Sequence, residues 1–458
     1  MFSRNLRRII LSRRYWLLCC TIAILIIIVH PQLSQSQAIS PPGANSEPFE
    51  NLNIEDLEKF SDIIKRIEKK WERDYEGYFK RNFAHSDRSP MQIAKHLQEI
   101  QQQAGIKPAV IWAVPKDDFL QLMLVTPKRQ FVIKQVWGGN KTALNEQIQE
   151  LTARISDYRS LAYLPPARLI YRWLLYPLEP YLEAEQIDTL LFCTGPTLRS
   201  LPFAALHDGE RFVVEKYNIA RIPAFNLTDT EYQSQSERKV LAAGASEFIG
   251  LPALPGVAIE LNTIVPKLWT GSKLINRDFT IDNLKQAHKS GNFDIIHIAS
   301  HSRFNPGSPE QSFIQFSDGK VSLARIDDLE LELPPVDLLV LSSCETAMGN
   351  EDAEFGFAGL AMQAGVKSAL ASLWGIDDTG TTVLMSEFYQ KLHSTPVKSL
   401  ALRQAQVAML NQKVFVEDFT LRGSEVEINL PTNISQNKSQ NFQHPYYWAG
   451  FTIIGNPW

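Results

Sequence analysis

Asp294-Ile-Ile-His-Ile-Ala-Ser-His-Ser-Arg-Phe304 and Asp337-Leu-Leu-Val-Leu-Ser-Ser-Cys-Glu-Thr-Ala347 are built alike. In each, an acidic residue precedes a nearly unbroken apolar run. Each run ends in small polar residues around one reactive side chain, His301 or Cys344. A run that is apolar on both faces is the mark of a strand covered by helices on both sides of a sheet. The expected strands are Asp294–Ala299 and Asp337–Leu341, with His301 and Cys344 just past their ends. If the strands are parallel, both side chains emerge at one carboxyl edge, where open α/β sheets bind ligands. Their separation of 43 residues leaves room for one crossover connection.

Outward from this pair, Thr189–Cys193, Val240–Ala243 and Ser368–Leu373 read as further buried strands. Helical patterns alternate with them at Ile259–Trp269, Thr280–Lys289, Gly356–Ala364, Thr381–Leu392 and Val397–Gln412. Such alternation predicts an α/β fold, a sandwich with a mostly parallel central sheet. N-terminal to it, Ala109–Val114, Phe119–Val125 and Phe131–Val136 are short β-like runs separated by turn residues, which suggests a β-meander. Lys141–Ser160 and Leu164–Leu182 are helical in pattern. Earlier still, Ile54, Leu57, Phe60, Ile64, Ile67, Trp71, Tyr75 and Tyr78 recur at spacings of three and four, an amphipathic helix. Met91–Gln103 is a second helix, and the two are expected to form a hairpin. The resulting division is a leader at 1–38, a linker at 39–51, a helical hairpin at 52–104, a meander-plus-helix subdomain at 105–187 and the α/β core at 188–458.

The leader is the clearest compositional anomaly. Met1–Arg14 holds five arginines and no acid, and Tyr15–Val29 follows without a charge. Fifteen apolar residues are short of the ~20 that span a bilayer, but they suit a signal-peptide core. Ser36-Gln37-Ala38 offers small residues for cleavage; an uncleaved signal anchor is the other reading. Either way the positive-inside bias places the rest of the chain on the non-cytoplasmic side, in the periplasm or outside the cell.

The whole chain of 458 residues is 44% hydrophobic and 21% charged, with a net charge of −4. This is the composition of a globular protein, without the basic stripe of a nucleic-acid binder. Of four cysteines, Cys19 and Cys20 lie in the apolar leader, so only Cys193 and Cys344 remain, too few for a disulfide framework. No Gly-rich phosphate loop, metal cluster or dinucleotide fingerprint appears, and no cofactor is expected.

The chemistry therefore falls to Cys344 and His301. A free thiol ionises near pH 8.5 and is mostly protonated at neutral pH. An imidazole beside it takes the proton, and the thiolate attacks a carbonyl to form an acyl-enzyme. The backbone N–H groups of Ser302 and Cys344 are the candidate oxyanion donors. By position alone a cysteine at a strand end is more often a buried hydrophobe. His297, inside its strand, reads as a hydrogen-bonded core histidine; His207, His288 and His393 read as surface residues.

Five stretches in order make the resemblance specific: Leu198-Arg-Ser-Leu-Pro-Phe-Ala-Ala-Leu-His207, His297-Ile-Ala-Ser-His301, Leu341-Ser-Ser-Cys-Glu-Thr-Ala347, Ala369-Leu-Ala-Ser-Leu-Trp-Gly-Ile-Asp-Asp378 and His444-Pro-Tyr-Tyr-Trp-Ala-Gly-Phe451. From about Leu164 to Trp458 the chain resembles a CHAT domain, the bacterial caspase-like peptidases of the caspase–separase group. The resemblance implies a caspase-like fold and a cysteine endopeptidase with His301 and Cys344 as its dyad. It also implies cleavage of a protein or peptide after a basic residue, which calls for a carboxylate in the substrate pocket. Asp377 and Asp378 are the candidates; the competing reading of Asp378 is the cap of the helix that follows. Two departures stand out: Ser302 replaces the glycine usual after the histidine, and Ser343 the alanine usual before the cysteine.

Two alternatives use the same core differently. One is a catalytically silent adaptor that binds partners at the membrane. The other is an acyltransferase or thioesterase with the same Cys–His pair. Family members often carry tetratricopeptide repeats; none is visible here, so 52–104 is the candidate surface for a regulatory protein partner. Glu351-Asp-Ala-Glu354 reads as a solvated acidic loop or part of an activation loop. Phe415–Gln443 reads as a polar insertion, either disordered or gating the site.

Overall fold

In the computed structural model the described residues are 54–458, apart from 84–85, 234–236, 347–349, 431 and 433–438. The leader and linker read at 1–38 and 39–51 lie outside them. No helix among the described residues is long and apolar enough to cross a membrane.

Among the described residues seventeen strands run in chain order. They are β1 (Pro108–Pro115), β2 (Leu120–Val125), β3 (Phe131–Val136), β4 (Thr189–Thr194), β5 (Asn218–Ile222), β6 (Val240–Gly244), β7 (Gly271–Ile275), β8 (Ile295–Phe304), β9 (Phe313–Gln315), β10 (Lys320–Ser322), β11 (Leu338–Thr346), β12 (Ser368–Ser372), β13 (Phe415–Glu417), β14 (Thr420–Arg422), β15 (Ile428–Asn429), β16 (Ser439–Gln440) and β17 (Phe451–Gly455). Thirteen form one sheet, in the order β10-β9-β8-β11-β12-β17-β5-β4-β1-β2-β3, with β6 beside the first half of β8 and β7 beyond β6. The principal helices are α1 (Ile54–Phe79), α2 (Pro90–Ala104), α3 (Lys141–Ile155), α4 (Leu164–Leu174), α5 (Val257–Asn262), α6 (Ile281–Gly291), α7 (Glu351–Ala358), α8 (Asp378–Ser394) and α9 (Lys398–Leu410).

Strand residues alternate between two cores, as the period of two demands. Val240, Ile295, Val340 and Leu370 face α4, α5, α8 and α9 on one side. Leu241, Ile296, Leu339 and Ala371 face α1, α2, α6 and α7 on the other. The expected α/β sandwich with a mostly parallel sheet is what the chain adopts. Its strands fall into two parallel blocks. β6, β7, β8, β11 and β12 run one way. β1, β4, β5 and β17 run the other way, and the blocks meet where β17 lies antiparallel to β12.

Three features differ from the local reading. The meander is not set apart: β1 pairs in parallel with β4, so β1–β3 extend the central sheet. The segment 415–443 is not merely polar loop. β13–β16 pair in a second, four-stranded sheet, and Val416, Leu421, Ile428, Leu430 and Phe442 join the core on the α8 side. His207 and His288, read as surface residues, are buried, His288 completely. His207 Nδ1 accepts from Gly209 N–H at 2.9 Å, and His288 Nε2 pairs with the Pro334 carbonyl at 3.0 Å. Single polar residues carry no local signal of such partners.

Candidate active site

β8 and β11 are adjacent parallel strands, and both continue beyond their apolar runs. Leu341 pairs with Ile298, but Ser343 pairs with His301 and Cys344 with Ser302; the shift between Leu341 and Ser343 marks a β-bulge. His301 and Cys344 therefore sit inside paired strand rather than past strand ends. The polar residues hid this extension, which the β9–β10 hairpin supports by pairing with Ser302 and Arg303. Neighbouring strands lie about 4.8 Å apart, so the Cα atoms of His301 and Cys344, one step off register, are diagonal neighbours within roughly 6 Å, at positions that alternate between the two faces of the pleat. The two oxyanion candidates, Ser302 and Cys344, are register partners. The Ser302 side chain is buried, with its hydroxyl near the Ser300 carbonyl at 3.4 Å. Two residues beyond His301, Arg303 pairs with Glu345 at 3.3 Å. Both are exposed, so this contributes little to stability.

The His301 ring is held from one side. Its Nε2 lies 2.8 Å from the carbonyl oxygen of Pro252, and the Phe248 ring meets it edge-on at 5.4 Å. A carbonyl only accepts, so Nε2 is the donor, and in the neutral ring the lone pair is then on Nδ1. Both contacts come from the loop between β6 and α5, and nothing in the local sequence of that loop signals the role. His297, four positions back, is the core histidine expected: Nδ1 lies 3.1 Å from the Tyr389 hydroxyl and Nε2 2.7 Å from Glu260 Oε1.

Asp377 and Asp378 differ in their placement. Asp377 is the N-cap of α8, its Oδ1 accepting from Gly380 N–H at 2.6 Å. Solvent reaches it, yet the surrounding protein still raises its carboxyl above the usual range; the Gly380 N–H and the Gln440 amide oppose this. Asp378 is the first residue of the helix, not its cap. Its Oδ2 accepts from Gly256 N–H at 3.1 Å. Burial raises its carboxyl, the Gly256 hydrogen bond opposes the rise, Glu260 and Asp377 add to it, and the charge of a protonated His301 opposes it.

The remaining candidates are structural. Cys193 is wholly buried, and burial pushes its thiol up, away from reactivity. The acidic stretch Glu351–Glu354 is the first turn of α7, with Asn350 Oδ1 capping Asp352 and Ala353 N–H; Glu354 is buried and accepts from the Ser200 hydroxyl at 2.6 Å. Among the described residues no group of three or more His, Cys, Asp or Glu is placed to hold a metal.

The CHAT domain profile matches residues 164–456, which span β4 to β17 and both candidate strands. The chain belongs to the CHAT domain family. Curated relatives of this CHAT protein include human tetratricopeptide repeat protein 28, 23% identical over 365 residues. That match takes in 65% of this chain and 15% of the relative. The mouse protein of the same name is 22% identical over 346 residues, 61% of this chain and 14% of that one. The CHAT chain thus spans about a seventh of the length of these relatives. Among solved structures, the yeast (Saccharomyces cerevisiae) separase–securin complex matches with a TM-score of 0.44 at 10% identity, over 80% of this chain and 31% of that one. The RgpB complex of pro- and mature domains from Porphyromonas gingivalis matches with a TM-score of 0.37 at 12% identity, over 69% and 76%.

Proposed function

We propose that this CHAT protein is a cysteine endopeptidase in which Cys344 is the nucleophile and His301 its general base. The observation that supports the reading is that β8 and β11 are adjacent and parallel, which brings His301 and Cys344 to neighbouring positions at one edge of the sheet; because Cys344 is one step off register, the reaction also requires the backbone to turn at Cys344. With Nε2 donating to the Pro252 carbonyl, Nδ1 is the nitrogen that takes the thiol proton. The thiolate adds to the scissile carbonyl, and the oxyanion meets the N–H groups of Ser302 and Cys344. The imidazolium then protonates the leaving amine. Water, deprotonated by the same imidazole, hydrolyses the thioester. Of the two pocket candidates Asp377 and Asp378, the exposed Asp377 supplies the carboxylate for a basic substrate residue.

The regulatory surface at 52–104 is part of the same proposal, on the exposed charged faces of α1 and α2, since their apolar faces are covered by the sheet. The leader at 1–38 carries the chain to or across the membrane.

Mass-spectrometric mapping of cleavage in a peptide library, together with labelling by a thiol-reactive basic peptide, tests the reading. Cleavage after Arg or Lys is expected, and Cys344→Ala is expected to lose it by at least about a thousandfold. Equal labelling of both proteins without hydrolysis in either assigns the core to an adaptor. Turnover of thioesters alone assigns it to acyl transfer.

A further inference from the structure

The loop that meets His301 has little burial of its own. Pro252 and Ala253 are exposed, and Ile249 is wholly so. Its position is set at its ends. Ser246 N–H donates to Asn276 Oδ1 at 3.0 Å, and Leu254 N–H donates to the Ser246 carbonyl at 2.8 Å, closing the loop on itself. At the far end Gly256 N–H donates to Asp378 Oδ2. Packing there is close: a Cβ on Gly256 would lie 3.2 Å from Asp378 Cβ and 3.3 Å from Thr382 Oγ1. One turn on, Glu260 of α5 grips His297 of β8. The segment from Pro252 to Glu260 therefore runs beside β8, pinned at Gly256 and Glu260, with the Pro252 carbonyl presented to His301.

Resting on the reading of His301 as the base, we propose that Asp378 is a positioning residue: through Gly256 N–H it anchors the loop whose Pro252 carbonyl orients the His301 ring. The bond is charge-assisted, and it lies four residues from the contact it secures. Loss of the anchor frees the carbonyl, the ring rotates about its side-chain torsions, and Nδ1 leaves the line of attack. Misplacement by an ångström lowers the rate by up to about a hundredfold.

Two arms test this, one of which needs no turnover. In the Cys344→Ala background, nitrogen-15-labelled histidine reports the His301 ring by NMR. The hydrogen-bonded Nε2–H proton is expected as a resolved resonance, slow to exchange. Asp378→Ala should abolish it. Asp378→Asn, whose amide oxygen still accepts from Gly256, should restore it. In the Cys344 protein, kcat of Asp378→Ala should fall at least about tenfold, with Asp378→Asn recovering part of the loss. A ring N–H unchanged in Asp378→Ala overturns the proposal, whether or not the protein is a peptidase. So does a loss confined to KM for basic substrates and equal in Ala and Asn variants, which puts the carboxylate on the substrate instead. A resonance that responds as expected in a protein without hydrolysis leaves the positioning intact and rejects the peptidase reading.

Discussion

Lys398 is wholly buried and donates to Asp337 Oδ1 at 2.9 Å, while Arg238 approaches Oδ2 at 3.3 Å. Burial alone would raise the Asp337 carboxyl, but the two cations overcome it and hold it below the usual carboxylate range. Asp337→Asn leaves the Lys398 ammonium without its counter-charge, and a loss of about 3–5 kcal/mol is expected in urea unfolding. The pH dependence has a definite sign. A depressed carboxylate stabilises the fold above its unfolded value, and that contribution disappears as pH falls through the lower folded value. Glu68 has the opposite sign. It accepts from Trp112 Nε1 at 2.6 Å, Phe225 N–H at 3.1 Å and Asn226 N–H at 2.9 Å. Burial still raises its carboxyl. Its contribution is therefore greatest below its unfolded value and is lost as pH rises through the folded one. Thermal melts across pH should show Glu68→Gln removing part of the stability lost on going from acid towards neutral; an unaltered profile excludes that assignment.

The four strands β13–β16 form an element with few residues of its own and a borrowed core. Leu421 and Ile428 pair across β14 and β15 and pack on the α8 side. Leu421→Ala removes a buried branched side chain, a change that in a core costs about 2–5 kcal/mol. Because the element is small, the expected consequence is local opening rather than global unfolding. Hydrogen exchange should rise across 415–430 and stay unchanged in β8 and β11. Equal loss of protection in the central strands would show the element to be part of the main cooperative unit.

Across the whole molecule, one sheet serves both layers of helices, so its faces cannot be uncovered separately. α1 and α2 lay Phe60, Ile64, Trp71, Tyr75, Ile93 and Leu97 against the face formed by Val110, Trp112, Leu191 and Ile222. Removal of residues 52–104 exposes that face, far beyond the few hundred Å² of apolar surface that soluble monomers tolerate. The truncated chain is expected to aggregate at concentrations where the full chain is monodisperse, as read by light scattering. A soluble, folded truncate would instead identify 52–104 as a detachable regulatory arm.

The amino-acid order by itself determined those parts that depend on near neighbours. Unbroken apolar runs marked β4, β6, β8, β11 and β12, because burial on both faces leaves no room for polar alternation. Spacings of three and four marked α1, because one face of a helix repeats at that period. The five ordered stretches marked the family and, with it, the candidate dyad. Only the tertiary structure decided what depends on distant partners. The reversal at β12 and β17 is invisible locally, since a buried strand reads the same in either direction. The continuation of β8 and β11 through His301 and Cys344 arises from backbone pairing with each other and with β9, which proceeds whatever the side chains. The division of Asp377 into a cap and Asp378 into an anchor turns on Gly256, 122 residues away. The ring of His301 is set by a backbone carbonyl, a group every residue carries and no sequence distinguishes.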